Sequence, residues 1–288
     1  MKRGFKMIIN SITTEDIKKI FSNTENKKLY LRKLFYKTGN SSKIEVQKGK
    51  LDQQIIESWS YEESKSIIRE MFRNHPKFIE QQKLDVEIDK AINDWNTLNL
   101  GDFEWPFSAM SFDQHVHTLN RNKSLSEQEK DDIISKETIK FRRIKQINSL
   151  RNDFIESLIF KNENIIPTLG NNKGVDFYIN GEPYDQKVGK SVGKAFIKEY
   201  GQNYREIALA NPELVAKSLY KNQDEERFGD EPRLLIVYLD SDVNSQSIQK
   251  QLDSIDFSAP YDITFDYKHS NNIVISHKTK CFVILLHN

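Results

Sequence analysis

The segment Gly174-Val-Asp-Phe-Tyr-Ile-Asn-Gly-Glu-Pro-Tyr-Asp-Gln-Lys-Val188 constrains the fold of this chain more than any other. It alternates with period two on both sides of Asn180-Gly181. Asn-Gly between alternating strands is the strongest short-range hairpin signal, because the tight turn needs residues that tolerate positive φ. A two-residue turn there sets Ile179 opposite Glu182, Tyr178 opposite Pro183, Phe177 opposite Tyr184 and Asp176 opposite Asp185. Side chains alternate between the two faces of a strand. One face then presents Val175, Phe177, Ile179, Tyr184 and Val188, with Glu182 and Gln186 as polar exceptions. The other presents Asp176, Tyr178, Asp185 and Lys187.

Carboxylates directly opposite each other on paired strands have Cβ atoms roughly 4.5–5.5 Å apart, and like charges in that position destabilise a sheet. A divalent cation relieves the repulsion. Mg²⁺ is a hard ion that takes one or two carboxylates, keeps several waters and completes its shell with substrate phosphate oxygens. Lys187 shares the face with Asp185, where an ammonium can stabilise transition-state charge or help orient and deprotonate an attacking water. A solvated hairpin face with a weak ion pair is the alternative for the same residues. The spacing Asp-x8-Asp-x-Lys alone arises often by chance. The turn, the core-like opposite face and a preceding long helix favour the catalytic reading.

Around this segment the periodicities predict mostly helix before and mixed elements after. Thr14-Glu-Asp-Ile-Lys-Lys-Ile-Phe carries a cap signal and helix-spaced apolar residues. Ser60 to Phe72 begins with a capping-box pattern, Ser60 with Glu63. Lys83 to Leu98 places Ile88, Ile92 and Trp95 on one face. Residues 101–122, with Gly101, Pro106, Phe103, Trp105 and Phe107, read as an irregular connection. Ser126 with Glu129 marks a helix start, and Ile144, Ile147, Leu150, Phe154 and Leu158 predict a long amphipathic helix from about Lys136 to Lys161. A helix is expected over Tyr204 to Tyr220, a buried strand over Arg233 to Leu239, a short helix over Ser245 to Leu252, and strands at Ile263–Phe265, Asn272–Ser276 and Phe282–Leu286. The order is that of an α/β (α+β) chain.

Gly174-Val-Asp176 followed by Asp185-Gln-Lys187, after a helix and before a helix and a strand, resembles the core of the PD-(D/E)XK nucleases, which include many type II restriction endonucleases. Val175 stands at the nominal proline and Gln186 at the usually apolar middle position. The resemblance spans roughly residues 150–240. It implies a restriction-endonuclease-like core, a central mixed β-sheet flanked by helices, over residues 126–288, and a mainly helical region that helps grip DNA over residues 1–125. It implies Asp176 and Asp185 as Mg²⁺ ligands and Lys187 as support for the nucleophilic water. Family members also use a Glu from the preceding helix, for which Glu156 is the candidate and Glu137 the weaker alternative. The implied activity is Mg²⁺-dependent cleavage of double-stranded DNA, by a homodimer matched to a cognate DNA methyltransferase. A structure-specific or defence nuclease of the same fold, and a non-catalytic DNA-binding domain, are the alternatives.

Other features carry less. Lys187, Lys190, Lys194 and Lys198 form a basic stripe for phosphate if that stretch is helical, and otherwise a solvated face. Gly189-Lys-Ser191 lacks the earlier glycine of a phosphate-binding loop, since Tyr184 stands there. His115-Val-His117 has neither Cys pairs nor further nearby His to make a zinc site. Arg121, Lys123, Arg142 and Arg143 are basic and explained equally by surface placement. The net charge of +1 leaves no global basic signature, so any DNA surface must come from local clustering. The single Cys281, inside an apolar run, excludes a disulfide framework. No run of apolar residues is long enough to span a membrane and nothing resembles a signal peptide, so the expectation is a cytoplasmic chain.

Overall fold

Thr13 opens the first helix, α1 (Thr14–Phe21). Its hydroxyl accepts the Asp16 N–H at 3.1 Å while the Asp16 carboxylate accepts the Thr13 N–H at 3.1 Å, which satisfies two donors a helix start leaves orphaned. The computed structural model describes residues 11–37, 49–74, 84–101, 109–170, 174–224 and 228–288. Among the described residues, α2 (Thr24–Lys37), α3 (Leu51–Ser58), α4 (Tyr61–Arg73), α5 (Leu84–Thr97) and α6 (Ala109–Arg121) follow. The sequence predicted α1, α4 and α5 but not α2 or α3. Ser60 precedes α4 as expected, yet its side chain makes no cap hydrogen bond. The expected irregular connection is corrected by α6, which carries His115 and His117. Phe103, Trp105, Pro106 and Phe107 lie outside the described residues.

The two predicted pieces after Ser124 are one helix, α7 (Glu127–Ile159). Ser126 and Glu129 exchange the reciprocal hydrogen bonds of a capping box, at 3.3 Å and 2.8 Å. Strands β1 (Ile165–Pro167), β2 (Phe177–Ile179) and β3 (Glu182–Gly189) form an antiparallel meander. The chain continues through α8 (Lys194–Tyr200), α9 (Tyr204–Ala210), α10 (Pro212–Lys221), β4 (Arg233–Tyr238), α11 (Ser245–Asp253), β5 (Tyr261–Lys268) and β6 (Val274–Leu286). The single helix expected from Tyr204 to Tyr220 is two, divided at Asn211-Pro212, because proline lacks the N–H that would continue the first. The two late strands expected at 272–276 and 282–286 are one, β6.

The sheet is six-stranded and mixed, in the order β1-β2-β3-β4-β6-β5. β4 runs parallel to both β3 and β6, and β5 is antiparallel to β6. Its back face carries Phe177, Ile179, Tyr184, Leu234, Ile236, Tyr238, Phe282 and Ile284, packed under Phe154, Ile155, Leu158 and Ile159 of α7. Leu84 and Ile88 of α5 and Ile248 of α11 join that core. The front face is covered in two places. Over β1 and β2 lie α1 to α4, which close on Ile166 and Tyr178. Over β4, β6 and β5 lie α8 to α10, through Phe196, Ala208, Val215 and Tyr220. β3 runs between the two covers. Among the described residues, no helix is long and apolar enough to cross a membrane.

Candidate active site

The Asn-Gly turn forms as the sequence predicts. Asn180 and Gly181 have φ of 51° and 85°, and the pairs Ile179–Glu182, Tyr178–Pro183 and Phe177–Tyr184 are in register. The expected fourth pair is not made. The Asp176 N–H donates to the Tyr184 carbonyl at 2.9 Å and the Asp185 N–H to the Pro232 carbonyl at 3.0 Å, so the ladder steps by one residue beyond Phe177. A one-residue step exchanges the faces. Val175 accordingly packs with Tyr178 under the N-terminal helices and not, as expected, with Phe177. Tyr178, expected on a polar face, is buried and donates its hydroxyl to Asp16 at 3.0 Å.

Asp176 sits half-buried just before β2. Its Oδ2 accepts the Gln186 N–H at 2.7 Å, so a side chain occupies the place a strand carbonyl would take. Asp185 lies on β3 and pairs along the sheet with Arg233 of β4. It is 4% exposed, and its Oδ2 lies 2.6 Å from Lys187 Nζ and 4.0 Å from Arg233 Nε. Neither approach is aligned as a hydrogen bond, so this buried oxygen has no hydrogen-bond partner among the described residues. The Lys187 side chain is 52% exposed and reaches solvent from the same face. Of the two polar exceptions on the apolar face, Glu182 is paired with Lys280 at 2.5 Å, and the buried Gln186 Oε1 has no hydrogen-bond partner among the described residues.

The structure brings Asp185 and Lys187 into contact and sets Asp176 beside them through the Gln186 backbone. It does not add Glu156. That residue rides half-buried on α7, which packs against the back face, opposite the side from which Asp185 and Lys187 project. Glu137, more than four turns earlier on α7, is likewise half-buried. Among the described residues no three His, Cys, Asp or Glu side chains form a group fit for a metal ion. A site here therefore rests on the two aspartates. Their donors are hard oxygens, and the buried Asp185 Oδ2, ion-paired with Lys187 but without a hydrogen bond among the described residues, is an acceptor that a hard cation fits.

The lysine stripe is not helical throughout. β3 ends at Gly189, Lys190 lies in the following bend, and only Lys194 and Lys198 stand on the short α8. All four are exposed. Partial burial, and then the nearby Lys145 ammonium, hold Lys190 below the usual lysine pKa. The fold thus sets Lys145 of α7 near the end of β3. Sequence reasoning missed Lys145 and Arg233. Arg233 looked like the flank of an apolar strand, and its role exists only through the β3–β4 pairing. Arg143 pairs with Asp94 at 3.1 Å, whereas Arg121, Lys123 and Arg142 are exposed. His117 is exposed, 3.7 Å from Asp113, and the buried Nε2 of His115 has no hydrogen-bond partner among the described residues.

Compared with family models, with curated proteins and with solved structures, the chain matches none.

Proposed function

We propose that the chain is a Mg²⁺-dependent endonuclease of the PD-(D/E)XK type that hydrolyses phosphodiester bonds of double-stranded DNA. Its finer form is a site-specific type II restriction enzyme, active as a homodimer and matched to a cognate methyltransferase. The observation that carries the reading is the buried Asp185 Oδ2, unpartnered by hydrogen bonds, with Lys187 2.6 Å away on the same face of β3. The order α7, Asp176, turn, Asp185-x-Lys187, helices and a strand parallel to β3 supports it.

Asp176 and Asp185 are the residues that would hold the ion. Bound Mg²⁺ supplies Lewis-acid polarisation of a phosphoryl oxygen and neutralises developing charge. Asp176 is oriented by the Gln186 N–H. Lys187, free to reach solvent, can position the attacking water and stabilise charge on the transferring phosphoryl group. Lys190 and Lys194, exposed beyond the end of β3, suit contact with the DNA backbone.

The test is incubation of the purified protein with phage and plasmid DNA, with Mg²⁺ or with EDTA. Discrete fragments with Mg²⁺ alone are expected; smearing or nicking points to a nuclease without sequence specificity. Lys187→Ala and Asp185→Asn should abolish cleavage at unchanged far-ultraviolet circular dichroism, and full activity in either variant would sink the assignment. A second reading has its own support. Asp185 already stands between two cations, Lys187 and Arg233, so the group can be a purely structural ion network. In that case no DNA, methylated or not, is cut.

A further inference from the structure

We propose that the cavity at the β1 edge of the sheet is a separate anion site that takes a backbone phosphate of a nucleic-acid strand. It rests on the nuclease reading for its ligand class, not for its geometry. The cavity holds about 160 Å³ and is lined by Arg69, Phe72, Arg73, Phe160, Lys161 and Pro167. Three of these six side chains are cationic and none is acidic.

The three cations are not equivalent. Arg69 donates to the carbonyls of Asn162 at 2.6 Å, Ile165 at 2.9 Å and Lys161 at 3.4 Å. The Lys161 and Asn162 carbonyls lie just past the end of α7, where the helix dipole is negative, and Ile165 opens the edge strand β1. Arg69 therefore fixes the wall of the cavity. Burial first, and then the charge of Arg73, lower its pKa, while Glu163 partly offsets them. Arg73 and Lys161 are exposed, and among the described residues neither side chain has an ion-pair or hydrogen-bond partner. Phe72 and Phe160 meet edge-to-face at 4.6 Å and give the hollow an apolar floor. Like charges gathered over an apolar floor, where solvent screening is reduced, favour an anion.

The cavity is separate from the β3 site, because α1 to α4 cover the front of β1 and β2 between them. Pro167 pairs with Phe177, and Phe177 with Tyr184, the neighbour of Asp185. The cavity thus lies two strand spacings from β3, roughly 10 Å.

The experiment is fluorescence anisotropy of labelled duplex and single-stranded oligonucleotides on the full chain in EDTA, across a salt series. The double variant Arg73→Ala/Lys161→Ala should bind about tenfold more weakly, with a salt slope reduced by about two. The charge-keeping pair Arg73→Lys/Lys161→Arg should restore the slope. Inorganic phosphate at fixed ionic strength should compete with oligonucleotide on the wild type and less so on the double variant. Unchanged affinity and slope in the alanine variant overturn the site even if the wild type cleaves DNA. Weakened binding by a protein that cleaves nothing keeps the site and removes the nuclease reading instead.

Discussion

The Asp176 carboxylate accepts the Gln186 backbone N–H at 2.7 Å, across the Asn180-Gly181 turn. The bond stands where the β2–β3 ladder loses its register, and it gives the β3 backbone the acceptor that β2 no longer supplies. Asp176 is thereby a structural residue as well as a candidate metal ligand, and the two roles separate by substitution.

Asp176→Ala should destabilise the fold by about 1.5–3 kcal/mol, the range for a hydrogen bond to a charged group. Asp176→Asn keeps an acceptor and should recover most of that loss, yet remain inactive in Mg²⁺-dependent cleavage. Urea unfolding of the two variants checks the first part and a plasmid assay the second. Equal stability of the Ala variant and the wild type would remove the structural role.

Arg233 is the most enclosed cation near the site. Its guanidinium donates to Glu231 at 2.7 Å and to Gln223 at 2.7 Å, lies 5.0 Å from the Tyr220 ring, and reaches within 4.0 Å of Asp185. Arg233→Met leaves Glu231 and the buried Asp185 short of positive charge. A loss of about 1–3 kcal/mol is expected, as for removing a hydrogen-bonded charged partner, since Glu231 is partly exposed and Asp185 keeps Lys187. Arg233→Lys should not rescue it, because an ammonium lacks the planar fork that serves both acceptors. A urea midpoint unchanged in the Met variant would contradict this.

Burial sets the alkaline limit of the fold. Loss of solvation pushes the Tyr30 and Tyr238 hydroxyls up from 10 to about 12 and the Cys281 thiol up from 9 to about 12. Their neutral forms are favoured in the folded state. The contribution to stability is thus complete below pH 9 and is lost as the pH rises from 9 towards 12. The thermal midpoint should fall across that window, and the absorbance change of the buried Tyr30 and Tyr238 should appear only as the chain unfolds. Cys281, fully buried, should resist thiol reagents at neutral pH until denaturant is added. Rapid reaction of the native protein would show that the core around it opens.

Much of the chain was legible where local chemistry decides. The capping pair Ser126–Glu129 forms because a side chain satisfies donors three residues away, and the cap signal expected at the Thr14 segment is completed one residue earlier, by Thr13 with Asp16. The Asn-Gly turn forms because both residues adopt positive φ. The apolar run from Arg233 became a central parallel strand, since only a strand buried on both faces takes such a run. The helices α2 and α3 escaped notice. In α2 the buried Tyr30, Leu31, Leu34 and Phe35 are interleaved with lysines, and their burial comes from α3, α4 and the sheet.

The sequence by itself determined the β2–β3 hairpin, the long helix before it, and the presence of Asp185 and Lys187 on one face, because turn chemistry and two-residue alternation are local. Only the tertiary structure decided what surrounds them. It moved Asp176 off the register, brought Arg233 beside Asp185, left Glu156 on the opposite side of the sheet, and gathered Arg69, Arg73 and Lys161 about one cavity. Those relations depend on which strand lies next to which and on which face a helix covers, and both are fixed by burying apolar surface between segments far apart in the chain.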